Sequence, residues 1–166
     1  QIAALAGIAP LGFQPMRRSK ARIPAPGGLD VSGWPMVFGA GETWYAKPDA
    51  GALIVSPAEE QPMEPHDAWA DDMVLAEGLA RYEAMVTEPV TRLLASWAGL
   101  RTFSPDRVLV IGPAPQDPSF FWLGGQGGYG FQSSAAASQL AADLITGQAP
   151  SLEAPLIAAL SPARFT

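Results

Sequence analysis

The chain has 166 residues and a 48% apolar fraction, which suits one domain or part of a larger one with a real core. A net charge of −6 argues against general nucleic-acid binding, a single histidine excludes a multi-histidine metal site, and the absence of cysteine excludes disulfides and thiolate metal sites. No apolar run approaches the ~20 residues of a membrane span, no signal-peptide pattern stands at Gln1, and a cysteine-free chain fits a reducing cytoplasm, with peripheral membrane association left open.

In chain order, residues 1–6 read as the end of a helix stopped at Gly7. The chain opens inside an apolar pattern (Ile2, Leu5, Ile8), so we expect a fragment of a longer protein. Residues 8–23 read as one or two strands carrying Arg17, Arg18, Lys20 and Arg22. Strand alternation puts Arg17 and Arg18 on opposite faces, so one of them points inward. A loop at 24–28 precedes strands at 31–38 and 43–47, separated by Gly39-Ala40-Gly41. A turn at 48–51 leads into a buried strand at 52–56, and such closely spaced strands predict an antiparallel or mixed sheet.

Residues 57–67 form a proline-rich acidic loop, with Glu59 and Glu60 expected in solvent and His66 at the surface or in a cap. The clearest helix is 68–86, with Trp69, Met73, Ala76 and Ala80 on one face and Leu75, Leu79, Tyr82 and Val86 beside them. Its start is acidic at Asp67, Asp71 and Asp72, which the helix dipole favours. Strands follow at 91–97, which 98–103 continues or leaves, and at 108–111, with a loop at 112–119. Residues 120–123 read as a buried strand, 132–145 as a helix capped by Ser133 and Ser134 and ended by Gly147, and 152–160 as a final helix.

Between that strand and that helix lie five glycines, Gly124 to Gly130. Strand, glycine turn and helix bring main-chain N–H groups and a helix N-terminus up to an electron-rich group, where side chains would obstruct. Gly125, Gly127 and Gly130 match G-x-G-x-x-G, but the dinucleotide unit also needs a second strand ending in an acid. Asp143 lies inside the helix pattern and residues 147–150 then break the chain, so the literal dinucleotide reading is rejected. A purely structural glycine turn stays open.

Arg101 sits among apolar neighbours after Trp97-Ala98-Gly99-Leu100 and wants a carboxylate, either a ligand's or that of an internal ion pair. Tyr45 reads as a half-buried aromatic in a short strand. No nucleophile elbow precedes Ser133 or Ser134, and the lone His66 makes no triad.

Four segments in order resemble the C-terminal portion of FAD-dependent oxidoreductases of the D-amino acid oxidase type, nearest to D-amino acid dehydrogenases of the D-arginine kind. They are Pro15-Met16-Arg17-Arg18-Ser19, then Trp44-Tyr45-Ala46-Lys47-Pro48-Asp49-Ala50-Gly51 with Ser56-Pro57-Ala58, then Trp97 to Phe103, and Gly125-Gln126-Gly127-Gly128-Tyr129-Gly130-Phe131-Gln132. The resemblance implies an α+β fold: a mixed, largely antiparallel sheet with flanking helices, plus a terminal strand, glycine loop and helix from a flavin-binding domain. It implies a substrate-binding domain over 8–103, with 1–7 and 104–166 as the flavin-domain remnant. Arg18, Tyr45, Arg101 and Gly128 would meet a D-amino acid or related amine, and Gly127, Gly128, Tyr129, Gly130, Phe131 and Gln132 would face the flavin. The family's N-terminal FAD fingerprint does not occur in these residues, so FAD is expected in the intact protein and absent from this piece, which would be inactive alone. Its missing half is the expected partner, and uncovered apolar faces would favour self-association. The alternative is a non-catalytic binding or assembly module of a flavoprotein.

Overall fold

The computed structural model describes residues 2–166. In chain order these form helix α1 (Ile2–Leu5), strands β1 (Gln14–Pro24), β2 (Val37–Phe38), β3 (Tyr45–Asp49), β4 (Ala52–Ser56) and β5 (Gln61–Pro62), helix α2 (Asp72–Glu83), strands β6 (Ala95–Phe103), β7 (Val110–Ala114) and β8 (Asp117–Gly124), and helices α3 (Gly130–Thr146) and α4 (Ala154–Leu160). The architecture is α+β with antiparallel strand pairing, as expected. Two compact units divide it: Met16–Leu100 is one, and the residues up to Pro15 together with Arg101–Thr166 are the other.

In the Met16–Leu100 unit, strand order is β2-β3-β4-β1-β5, with β6 also paired to β1. Every residue of β4 (Ala-Leu-Ile-Val-Ser) is buried, which its unbroken apolar run dictates. β1 alternates, burying Arg17, Ser19, Ala21 and Ile23. Pairs Ala21↔Val55 and Ala46↔Val55 put these residues on one face, where Trp44, Leu53 and the α2 residues Leu75 and Tyr82 complete the core. Trp44 and Tyr82 meet edge to face with ring centroids 5.3 Å apart.

Helix α2 starts later than its apolar pattern predicts. The Asp71 carboxylate accepts the N–H groups of Met73 (3.0 Å) and Val74 (3.1 Å), which fixes the cap there. Its buried face is Leu75, Gly78 and Tyr82, whereas Trp69 and Met73 are 74% and 70% exposed. Gly78 is required because a Cβ there would overlap Pro57. Two expected strands also shrink. Residues 8–13, with Pro10 and a left-handed Gly12 (φ +72°), stay irregular, and of 31–38 only Val37–Phe38 pairs, after Gly33 and Pro35.

Glu59 is half-buried rather than in solvent, whereas Glu60 is exposed as expected. Between the pairs Ala21↔Val55 and Arg17↔Gln61, residues 57–60 bulge away from β1. Two side chains replace the missing ladder at Ser19: Ser56 Oγ donates to its carbonyl (2.7 Å), and the Glu59 carboxylate accepts its N–H (2.6 Å). Arg17 adds contacts to Glu59 (3.9 Å) and Asp71 (3.6 Å) and donates to Gln61 Oε1 (2.5 Å). Arg18 holds Glu60 at 2.7 Å.

In the other unit, β7 and β8 form a hairpin from Val110↔Gly124 to Ala114↔Asp117, where a loop was expected over 112–119. One side packs Ala3, Ile8, Val110 and Ala114 around Trp122, whose indole meets Phe13 and Phe120 edge-on. The other side packs Ile111 against Ala137, Leu140 and Ala141 of α3, joined by Ile157 and Leu160 of α4. Gly147 ends α3 in the left-handed region at φ +70°, as a glycine stop predicts.

Candidate active site

The glycine loop lies beside the end of β6. Gly127 donates its N–H to Thr102 O (2.9 Å), and Phe103 bridges to Gln126. Gly127 has φ +52°, and a Cβ there would overlap the Phe103 ring. A Cβ on Gly128 would stand 2.8 Å from Arg101 Nη1, so the guanidinium lies against naked main chain. Thr102 and Phe103 escaped the sequence reading: glycine spacing shows that something approaches closely, but not which side chain does.

Arg101 is half-buried, and its side chain has no hydrogen bond or ion pair among the described residues. Arg17, Arg18, Arg22 and Arg164, by contrast, each sit against a carboxylate. A half-buried guanidinium without a counter-charge is a costly arrangement that a ligand carboxylate would relieve.

Helix α3 begins at Gly130, two residues before the expected start. Ser133 and Ser134 are therefore inside its first turn and do not cap it. Their hydroxyls donate backwards to Tyr129 O (2.7 Å) and Phe131 O (2.9 Å). No side chain caps this end and no acid lies in the first turn, so the N-terminal N–H groups and the positive end of a 17-residue helix stay available. Tyr129 and Phe131 are 53% and 98% exposed. A cradle free of Cβ atoms at Gly127 and Gly128 and an uncapped helix start can together hold an electron-rich, partly anionic ring edge.

Arg18 and Tyr45 belong to the Met16–Leu100 unit. The register Tyr45↔Ser56 and Arg22↔Ile54 puts Tyr45, Arg18 and Arg22 on the sheet face opposite the α2 core. Tyr45 is buried rather than half-buried (6% exposed), tilted against Phe38 with centroids 6.0 Å apart. Arg18 shares that face but is already ion-paired to Glu60, and its Nε is buried without a partner. The inward arginine of the pair is Arg17. His66 is exposed, with Nδ1 2.6 Å from Glu64 O. Among the described residues no acid–histidine cluster could hold a metal, and no helix is long and apolar enough to cross a membrane.

Among solved structures, the chain is similar to glycine oxidase from Geobacillus kaustophilus (TM-score 0.78, 21% identity, 98% of this chain and 42% of that one). It is also similar to L-proline dehydrogenase from P. horikoshii (TM-score 0.74, 19% identity, 98% and 43%). Among curated proteins it is 31% identical over 130 residues to the tRNA 5-methylaminomethyl-2-thiouridine biosynthesis bifunctional protein MnmC of Thiobacillus denitrificans, covering 73% of this chain and 21% of that protein. It is 43% identical over 61 residues to D-amino acid dehydrogenase 2 of Ralstonia nicotianae, 36% of this chain and 14% of that protein. The chain thus spans under half the length of each of these relatives. Residues 2–144 match the family model described as "DAO: FAD dependent oxidoreductase". With its glycine loop and antiparallel sheet inside the matched span, the chain belongs to the DAO family of FAD-dependent oxidoreductases.

Proposed function

We propose that this chain supplies the substrate-facing sheet and the flavin-facing glycine loop of an enzyme that oxidises the Cα–N bond of an amino acid, a D-amino acid first, to the imino acid. The relatives support amino acids as the substrate class: their names include glycine, L-proline and D-amino acids. In this reading the Met16–Leu100 unit is the substrate layer, and the other unit belongs to the flavin-binding domain.

The residues present fit FAD. Main chain from Gly127 to Gln132 would face its ring, and the uncapped start of α3 would favour negative charge there. FAD, when bound, would accept the hydride from Cα and with it both electrons. The chain's own part is to bind and orient. Arg101 grips the substrate carboxylate. Fixing the carboxylate fixes the Cα hydrogen, a proximity effect.

The observation that carries this reading is the Arg101 guanidinium lying against Gly128 with no ion-pair partner among the described residues. In the FAD-loaded protein, Arg101→Met should raise KM for D-alanine about 10- to 100-fold with flavin retained, and Arg101→Lys should fall between. An unchanged KM with flavin bound overturns it.

The Arg18–Glu60 ion pair favours a second reading of Arg18 alone, as a structural cation rather than a clamp. Glu60→Gln decides. If Arg18 joins the substrate, freeing it lowers KM; if it is structural, KM stays and only stability falls.

A further inference from the structure

We infer that the Met16–Leu100 unit carries a binding site for a small organic ammonium ion with an apolar body, where the end of β1 faces the loop after α2. A cavity of about 360 Å³ opens there, within the range of small-ligand pockets. Its walls are mostly apolar: Ile23, Pro24, Pro26, Pro89 and Val90.

Its polar side chains are one carboxylate, Glu88, and two hydroxyls, Tyr82 and Thr91. Glu88 lies on the lining, and its carboxylate has no hydrogen bond or ion pair among the described residues. It stands over Gly27, whose absent Cβ would lie 3.5 Å from the Glu88 carboxyl carbon. Tyr82 is 3% exposed and lines the same cavity, yet its hydroxyl has no protein partner among the described residues. Burial first, and then the Glu83 charge, push its phenol above the ordinary value, so it stays neutral at physiological pH and can accept as well as donate.

Main-chain donors are scarce. Pro24, Pro26 and Pro89 have no N–H, the Gly28 N–H goes to Ala25 O (3.2 Å), and the Val90 N–H goes to Glu83 Oε1 (2.7 Å). No lysine, arginine or histidine lines the cavity. A wall of proline rings, one carboxylate and two hydroxyls that can accept select against anions and for a cation that brings its own N–H donors.

The probe is benzylammonium, with benzyl alcohol as its neutral counterpart and benzoate as the anion. Titration of the chain at about pH 7, followed by amide NMR, should shift Gly27, Gly28 and Thr91, with benzyl alcohol weaker and benzoate not binding. Glu88→Gln, an exposed isosteric change, should weaken benzylammonium about fivefold or more and leave benzyl alcohol unchanged. Tyr82→Phe keeps the ring against Trp44 and should weaken it about two- to threefold. Arg101→Met should change nothing, which separates this site from the proposed amino acid site. The inference is overturned by equal affinity for ammonium and alcohol, by undiminished binding in Glu88→Gln, by shifts confined to residues 125–130, or by no binding at all.

Discussion

Arg164 holds Asp106 from 58 residues away with two parallel bonds, Nε to Oδ2 at 2.6 Å and Nη2 to Oδ1 at 3.0 Å. The same guanidinium donates to Val108 O (2.8 Å) and Ser161 O (3.0 Å), while Asp106 also accepts from Ser104 Oγ (2.9 Å) and Val108 N (3.1 Å). This pins the C-terminal turn to the turn after β6. Ser104, in that turn, lies against Gly125, whose Cβ would come 3.5 Å from it. The far end of the chain thereby supports the floor of the glycine loop.

Arg164→Met should therefore cost about 1–2 kcal/mol, at the modest end for a charged network because the Asp106 side chain is 39% exposed. The Arg164 hydrogen bond is the main reason that the Asp106 carboxyl is held well below the usual carboxylate range. A depressed pKa gives stability that is complete above the unfolded value of ~3.9 and is lost as pH falls through the folded value below it. The gap between wild type and Arg164→Met in urea midpoints should be flat from about pH 5 to 8 and close below about pH 4. A gap that closes near neutrality would show that another group carries it.

Gly127 and Gly128 should respond differently to alanine. At Gly127 the new Cβ overlaps the rigid Phe103 ring at φ +52°, so about 2–4 kcal/mol should be lost, read as a fall in melting temperature. At Gly128 the Cβ meets only the tip of the flexible Arg101 side chain. Gly128→Ala should barely move the melting temperature but push the guanidinium aside, which in the proposed reading raises KM for amino acids in the FAD-loaded protein.

The sequence showed best what local pattern alone decides. The apolar run 52–56 is β4 because every residue in it is buried, and Gly147 ends α3 because only a left-handed residue can close that turn without strain. It failed where partners come from afar. Glu59 looked solvated because nothing adjacent reveals Arg17 and the bare Ser19 N–H some 40 residues back. Trp69 and Met73, four apart, imitated a buried helix face, but the Asp71 cap begins α2 after Trp69. In the β7–β8 hairpin, Pro113, Pro115 and Pro118 masked the strand pattern. At the candidate site the glycine spacing was visible, but the lack of a partner for Arg101 among the described residues was not, since that depends on the whole surrounding structure.

The β3–β4 hairpin turns through Ala50 (φ +46°) and Gly51 (φ +76°), with Asp49 and Ala52 paired across it. Two left-handed central residues make a type I′ turn, which favours Asn-Gly and burdens alanine. Ala50→Asn should add about 0.5–1 kcal/mol. The Arg22 contacts to Asp49 Oδ2 and to the Asp49 and Ala50 carbonyls do not involve the Ala50 side chain and should persist. A higher urea midpoint with an unchanged slope checks it, and a lower midpoint would contradict the strain argument.

Glu59 shows whether the bulge beside β1 is held by charge or by an acceptor. Its Oε1 takes the Ser19 N–H at 2.6 Å, while Oε2, the Ser19 hydroxyl and Arg17 Nε are buried without hydrogen-bond partners among the described residues. Glu59→Gln keeps an acceptor for Ser19 and leaves Arg17 the Gln61 oxygen and Asp71, so it should cost under about 1 kcal/mol. Glu59→Ala leaves the Ser19 N–H unsatisfied in a buried strand and takes one carboxylate from an arginine only 7% exposed, so it should cost about 2–4 kcal/mol. Urea unfolding of the two variants side by side separates the cases. Equal losses would mean that the negative charge near Arg17, not the hydrogen bond to Ser19, holds residues 57–60 in place.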